Sequence, residues 1–499
     1  MKKFFLPLSL SLSLFICTYI QAEPWIDTSD IYLKANIQQL ADAGYILTPT
    51  TTYPLMWEDI ITDLKNINVE QLNKSEQQAY LYINHQAKLA QRNLSTIKAH
   101  YASKNSRFNS FGDNFKEKNT LQFQSTYMLE NFSAKISTSY INTPQLGNKS
   151  NFDGSYVAAF FGNWVFSLGQ QNRWFGPTWD TSFSLSNNAR PLPALAITRK
   201  SAIGLQIPFT DLQIPWTMTT FMGKMDDNRI VKNALLWGFR LNFKPLPNLE
   251  LGISRLAQWG GEGHSQTLST FKDVLIGRTN CGIDDLICNE TNPNPANQQA
   301  GYDIRYSFTV FNQPIAIYGQ KFAEDGSEGT FNYLTKANPQ WGIDTRVNFF
   351  NYYTTVFFEY GDSLADCGTR DKIGDCYYEH SSYQTGMRYH NRTISNLYDN
   401  DAKSYVLGVI SQLDTNTHFS SKLRYLKLNY DNSDKAADNI LIGNPLTSEA
   451  ENISMLSANL RYSYQNWRFT LETEISHSTF TTKASKNHIN LGFSVEYNL

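Results

Sequence analysis

The chain of 499 residues is short of the features that mark most functional classes. It has no basic surplus: 43 Lys and Arg stand against 45 Asp and Glu, for a formal net charge of −2. Phosphate neutralisation needs such a surplus or a basic stripe, so no nucleic-acid partner is expected. Beyond the N-terminus no stretch approaches the ~18 apolar residues of a membrane-spanning helix, and a mean hydropathy of −0.41 is too polar for a helical membrane protein. There is no G-x-S-x-G elbow, P-loop, H-E-x-x-H or dinucleotide fingerprint, and the eight His are scattered. No catalytic residue, cofactor or metal ligand is therefore assigned. Acid pairs such as Asp284-Asp285 and Glu324-Asp325 read as solvated charge rather than as acid/base couples.

Cysteine is also scarce, at five. Cys281 with Cys288, and Cys367 with Cys376, are close neighbours in polar stretches. Neither pair has CxxC spacing or a His cluster, His380 aside, which disfavours zinc. The expectation is two loop disulfides, Cys281–Cys288 and Cys367–Cys376, formed in an oxidising compartment. The N-terminus points to that compartment. Lys2-Lys3, an apolar run from Phe4 to Ile16 and small Ala22 form a signal peptide over 1–22, with an uncleaved anchor as the alternative.

What the sequence has in quantity is rings: 10 Trp, 28 Tyr and 31 Phe. A soluble protein buries so many in a large core, whereas a transmembrane barrel sets them in two interfacial girdles. Residues 23–93 read as short amphipathic helices. The first has an N-cap among Thr28-Ser29-Asp30 and stops at Gly44; Pro54 opens the second; Ser75 with Gln78 boxes the third. From 94 onward the period is two, as in Leu121, Phe123, Tyr127 and Leu129, or Leu235, Trp237, Phe239 and Leu241. A strand over Ile97–Ser103 and another over Thr393–Tyr398 carry the weakest signals.

The connections alternate in length. Tight turns fall at Glu130-Asn131, Lys244–Asn248, Asn312–Pro314, Asn351, Leu413–Thr417 and Gln465-Asn466. Long polar loops fall at Trp259–Ala300, Glu324–Gln340, Gly361–Ser382 and Asp431–Glu451. Short turns on one side and long loops on the other are the outer-membrane barrel pattern. The chain ends on an unbroken alternation, Ile489, Leu491, Phe493, Val495, Tyr497 and Leu499, suited to closure against the first strand and hazardous as an open edge. The expected fold is a closed antiparallel transmembrane β-barrel of about 18 strands over 94–499, with a periplasmic helical segment over 23–93.

Several stretches resemble the capsule assembly Wzi family of outer-membrane proteins. The strongest runs from Gly162 to Arg199, GNWVFSLGQQNRWFGPTWDTSFSLSNNARPLPALAITR, with Phe175 where the family usually has a second Trp. LADAGYI (40–46), TTYPLMW (51–57), GISRLAQWGG (252–261), YGQKFAEDG (318–326), FEYGD (358–362) and YEHSSYQTGMR (378–388) follow the family in order. The resemblance implies an 18-stranded barrel with periplasmic helices and a lectin-like role in tethering capsular polysaccharide.

Within that frame two readings compete for the motifs. Arg173, Trp174, Gly176 and Pro177 could present a guanidinium and rings to an acidic sugar, or bend inward and hold a plug; the plug is favoured. Asn187, Asn188, Arg190 and Pro191 share the ambiguity. Arg255, Glu324 and Asp325 are expected to face the lumen. Polysaccharide contact is expected in the long loops, at the rings Trp259, His264, Tyr333, Tyr377, Tyr378 and His380 and the cations Arg278, Lys336 and Arg370. The expected partners are surface polysaccharide and outer-membrane lipid, with the protein a monomer. The main rival is a porin-like channel or uptake barrel for saccharides, which requires an open lumen. A surface hydrolase is the third, and no spacing supplies its nucleophile and base.

Overall fold

A computed structural model describes residues 23–499 apart from 93–94, 114, 146, 207, 209–212, 278–295, 312, 327–333, 365–376, 435–438 and 440, and apart from the side chains of 324–326 and 334–337. Eighteen antiparallel strands close into a barrel. They are β1 (Ser95–Ala102), β2 (Thr120–Leu129), β3 (Phe132–Ile141), β4 (Tyr156–Phe161), β5 (Trp164–Gly169) and β6 (Ala194–Arg199). Next come β7 (Trp216–Lys224), β8 (Leu235–Leu246), β9 (Leu249–Trp259), β10 (Ala296–Val310), β11 (Gln313–Gly326) and β12 (Leu334–Phe349). The last are β13 (Tyr352–Asp362), β14 (Ala402–Gln412), β15 (Thr417–Leu428), β16 (Glu451–Tyr464), β17 (Trp467–Phe480) and β18 (Lys486–Asn498). β18 pairs with β1 from Gly492 opposite Ala102 to Asn498 opposite Thr96. That closure leaves the apolar terminal strand no free edge. Among the described residues no helix is long and apolar enough to cross a membrane.

Alternation puts apolar side chains outside and polar ones inside. Along β9, Ile253 is exposed while Ser254 and Gln258 are buried. Connections between β2 and β3, β4 and β5, β8 and β9, β10 and β11, β12 and β13, and β16 and β17 are tight turns at one end. Phe161, Phe311 and Phe350 project from three of them, 78%, 96% and 79% exposed. At this end the β6–β7 connection alone is long. The other end carries the long loops. The rings thus divide between the outer wall and the interior of those loops.

The weakest strand signals resolve in opposite directions. Ser95–Ala102 is a barrel strand. Residues 393–398 belong to an inward loop, where Ile394, Leu397 and Tyr398 are buried. Their alternation serves packing against other loops rather than a pleated wall.

The N-terminal helices are α1 (Ile31–Asp42), α2 (Trp57–Lys65) and α3 (Lys74–Ala90). Asp30 caps α1, accepting hydrogen bonds from the Tyr32 and Leu33 amides. The capping box of α3 is Asn73 with Glu76, two residues before the expected Ser75 with Gln78, and α2 starts three residues after Pro54. α1 does not lie beneath the barrel. It is drawn up into the bore, in one apolar cluster with Tyr318, Phe357, Val406 and Ile410 of the wall.

Candidate functional site

The long loops divide into a lid folded into the bore and a bowl left open above part of the wall. The lid is built on the β5–β6 loop. Trp174 and Phe175 pair in register with Tyr53 and Thr52 of the N-terminal segment, and both are fully buried. The Gly176 amide donates to Thr51 O at 2.8 Å. Gly176 has φ +123°, and a Cβ there would meet Gln320 Nε2 at 1.6 Å, so only glycine fits this close approach. Pro177 is buried. Arg173 stacks its guanidinium 4.6 Å from the Phe221 ring.

Two more loops close on this one. Asn188 Nδ2 donates to the Thr393 carbonyl and hydroxyl at 3.3 and 3.2 Å. Asn187 and Pro191 are buried beside it. The Ser110 hydroxyl donates to the Asp180 carbonyl at 2.6 Å. Arg190 forms a two-pronged pair with Asp153, both contacts at 2.9 Å.

Charge fixes the lid to the wall. Asp180 is fully buried and accepts from Arg424 Nη2 at 2.7 Å, with Lys422 at 3.3 Å and the Tyr398 hydroxyl also bonded. Burial raises its carboxyl pKa, but Arg424 and Lys422 outweigh burial and hold it well below the usual carboxylate range. Glu359 accepts from the Trp179 and Asp180 amides at 2.6 and 3.0 Å. α1 is held likewise. Arg305 bridges Asp42 of the helix and Asp344 of the wall, and Arg461 meets Asp30 at 2.9 Å. The Lys34 ammonium lies 4.2 Å from the Phe111 ring centre and 5.0 Å from that of Trp179, and donates to Thr178 O at 2.6 Å.

Of the ring residues expected to touch polysaccharide, Tyr377 and Tyr378 are spent inside, and the others described pack against neighbouring groups. Tyr377 and Tyr378 are fully buried, their rings 4.1 Å apart, and fill the lid instead of presenting faces to solvent. His380 is half-buried, and its Nδ1 accepts from the Ser382 and Tyr383 amides at 3.1 and 3.3 Å. His264 stacks on Tyr383 at 5.1 Å. Trp259 is buried on the outer register of β9, stacked at 5.2 Å on Phe271 of a fourth helix, α4 (Leu268–Ile276). Arg255 shares that register and corrects the expectation of a lumen charge. It leaves the outer wall to donate to the Leu275 and Val274 carbonyls at the end of α4, at 2.7 and 2.6 Å. Long apolar alternation hides such a residue, because period alone does not say which face a charge can satisfy by leaning on a helix end. Arg278, Tyr333, Arg370 and the four loop cysteines lie outside the described residues, as do the side chains of Glu324, Asp325 and Lys336.

The bowl is a cavity of about 920 Å³ at the long-loop end. Lys104, Arg107, Asn444, Lys483, Lys486 and His488 are among its lining residues. Arg107 grips Glu451 at 2.8 and 2.6 Å, and Lys483 meets Glu449 at 3.0 Å. Hydrogen bonds from the Thr482 hydroxyl and amide, together with Lys483, hold the Glu449 carboxyl down at about 2. None of these residues stood out in the sequence. The available signal was two polar runs with basic residues, 103–108 and 481–488, at opposite ends of the chain; only barrel closure makes them neighbours.

A family model described as Capsule assembly protein Wzi matches residues 89–491. The fold superposes with a TM-score of 0.80 on the Escherichia coli outer-membrane protein Wzi, a carbohydrate-binding β-barrel involved in group 1 capsule assembly. That match is at 21% identity and covers 95% of this chain and 99% of that one. A 55.8 kDa protein from the cps region of Klebsiella pneumoniae is 29% identical over 320 residues, which span 62% of this chain and 59% of that relative. Taken with the lid, the bolted α1 and the closed barrel, these matches identify the chain as an outer-membrane β-barrel that belongs to the capsule assembly protein Wzi family.

Proposed function

We propose that this protein binds surface polysaccharide and helps to assemble or retain capsule or exopolysaccharide on the cell, without chemical turnover. The observation that carries the reading is the bowl: a wide polar hollow at the rim of a barrel whose axis is filled. Its amides, cations and charge-paired carboxylates suit the hydroxyls and carboxylates of a polymer. Each such contact is weak. A polymer repeats its epitope, and many barrels in one membrane engage it together, so retention grows through multivalency. In this reading residues 1–22 direct export, the long loops face the exterior and α2 and α3 face the periplasm. The protein acts as a monomer, and the two cysteine pairs staple exterior loops.

The test is deletion of the gene followed by measurement of cell-bound against shed polysaccharide. A shift towards the shed fraction is expected, and an unchanged ratio would overturn the proposal. Uptake of saccharides through the barrel is the competing reading. The row of ion pairs that holds α1 and the lid speaks against it. Liposomes carrying the purified protein should not swell in isotonic glucose or maltose, and rapid swelling would favour uptake.

A further inference from the structure

The bore is not filled evenly. Where α1 and the lid press on the wall, inward side chains are buried to the last atom, among them Arg240, Asn242, Gln299 and Asn338. Along β16 and β17 the corresponding side chains of Asn459, Thr470, Glu472 and Glu474 stay partly accessible. Three cavities lie in line along this strip. The first, about 240 Å³, starts beside Ala90 and Arg92 at the end of α3 and reaches Asp113 and Phe115. The second, about 70 Å³, shares Asp113, Phe115, Lys422 and Glu472 with the first and extends to Glu474. The third is the bowl, which meets the second at Glu474.

We propose that these three cavities form one water-filled passage, off the barrel axis, that conducts water and small monovalent ions from one side of the membrane to the other. The reasoning is electrostatic and steric. Every stage of the strip presents charged or hydroxylated groups, so water inside it keeps hydrogen-bond partners and the passage stays wet. Both signs of charge line the first cavity: Lys98 meets Glu496 at 2.8 Å, and Arg468 meets the same carboxylate at 3.2 Å. At the waist, Asp113, Glu472 and Glu474 outnumber Lys422 and Arg424, and both of these cations are already turned to Asp180. Cations are therefore favoured there. The waist is set by the Phe115 ring, stacked on His100 with centroids 4.1 Å apart and planes 1° from parallel. A space of about 70 Å³ holds a few waters and excludes a sugar ring. The passage is therefore separate from polysaccharide binding, which the bowl performs whether or not ions pass beneath it.

The experiment is conductance of the purified full-length protein in planar bilayers of diphytanoyl phosphatidylcholine in molar KCl. A steady, cation-preferring current well below that of an open barrel is expected. Phe115→Ala should raise it by about two-fold or more, because the waist widens. Glu472→Gln should move the reversal potential in a KCl gradient towards zero. Heat-modifiable gel mobility verifies that each variant is folded. Silence of the unaltered protein overturns the proposal, and so does a current that neither substitution changes, which would place the leak elsewhere. Retention of polysaccharide by cells is read separately, so the two proposals fail independently.

Discussion

One side of the bore, along β8 to β14, is bolted to the N-terminal segment and the lid; the other, along β15 to β18 and β1 to β3, is the wet side that lines the chain of cavities. The wall sequences do not differ in kind. Both alternate apolar and polar residues, and both place acids and bases inward. What differs is the partner. On the bolted side the N-terminal segment or the lid answers many inward charges, though Asp303 pairs with Arg240 of the wall: Glu250 accepts from the Thr50 and Thr51 amides, both at 2.9 Å, and Lys244 donates to Ile46 O at 2.7 Å. On the wet side Lys98 and Glu496 pair with each other along the wall beside the cavities, while Arg461 and Lys135 reach Asp30 and Glu23 of the N-terminal segment. The comparison teaches that a charge inside a barrel is structural when a plug answers it and solvated when none does.

The sharpest way to break this contrast is to remove one charge from each side. Asp180→Ala leaves Arg424 and Lys422 buried without their counter-charge and should cost about 3–5 kcal/mol. Glu472→Gln on the wet side should cost under about 1 kcal/mol. Urea unfolding in detergent, followed by tryptophan fluorescence, compares the two, and equal losses would erase the distinction. A smaller effect is expected from Gly176→Ala. The added methyl must displace Gln320 and adopt a left-handed φ, for a loss of about 1–3 kcal/mol and a lid more open to protease.

Asp59 of α2 is an intermediate case, docked without a cation. It accepts from the Ser201 hydroxyl at 2.9 Å and the Ala202 amide at 3.0 Å, and burial, partly offset by these bonds, raises its carboxyl from 3.8 to about 6. A raised carboxyl pKa means the folded state binds the proton more tightly. Its contribution is therefore complete below about pH 4 and is lost as pH rises through about 6, by up to about 3 kcal/mol. Asp59→Asn should flatten that slope in unfolding measured from pH 4 to 7. The smallest change belongs to the bowl. Lys486→Ala combined with Lys483→Ala should leave unfolding within about 1 kcal/mol of the parent. The pair should weaken polysaccharide binding by about three- to ten-fold in titrations with purified glycan, as expected for the loss of about 1 kcal/mol of charge-assisted contact.

The barrel was legible because a closed wall repeats one local rule, and the terminal strand from Ile489 to Leu499 obeys it without interruption. The family motifs around Trp174 and Asn188 were legible as special, although sequence left a plug and a sugar platform both open. Tyr377 and Tyr378 misled because an aromatic in a polar loop gives no sign of whether the loop folds inward, and Trp259 because α4 covers it on the outer face of β9. Arg255 misled because its partner is a helix end that no local pattern connects to it. The bowl was illegible for the opposite reason: Lys104 and Lys483 lie nearly the whole chain apart.

The sequence by itself determined a polar-inside, apolar-outside wall, its closure and the end at which its loops are long, since period and turn length are local properties enforced by backbone hydrogen bonding. Only the tertiary structure decided which inward charges are locked and which are wet. That depends on where α1 and three loops come to rest inside a cylinder, and burial of a charge is settled by what stands opposite it.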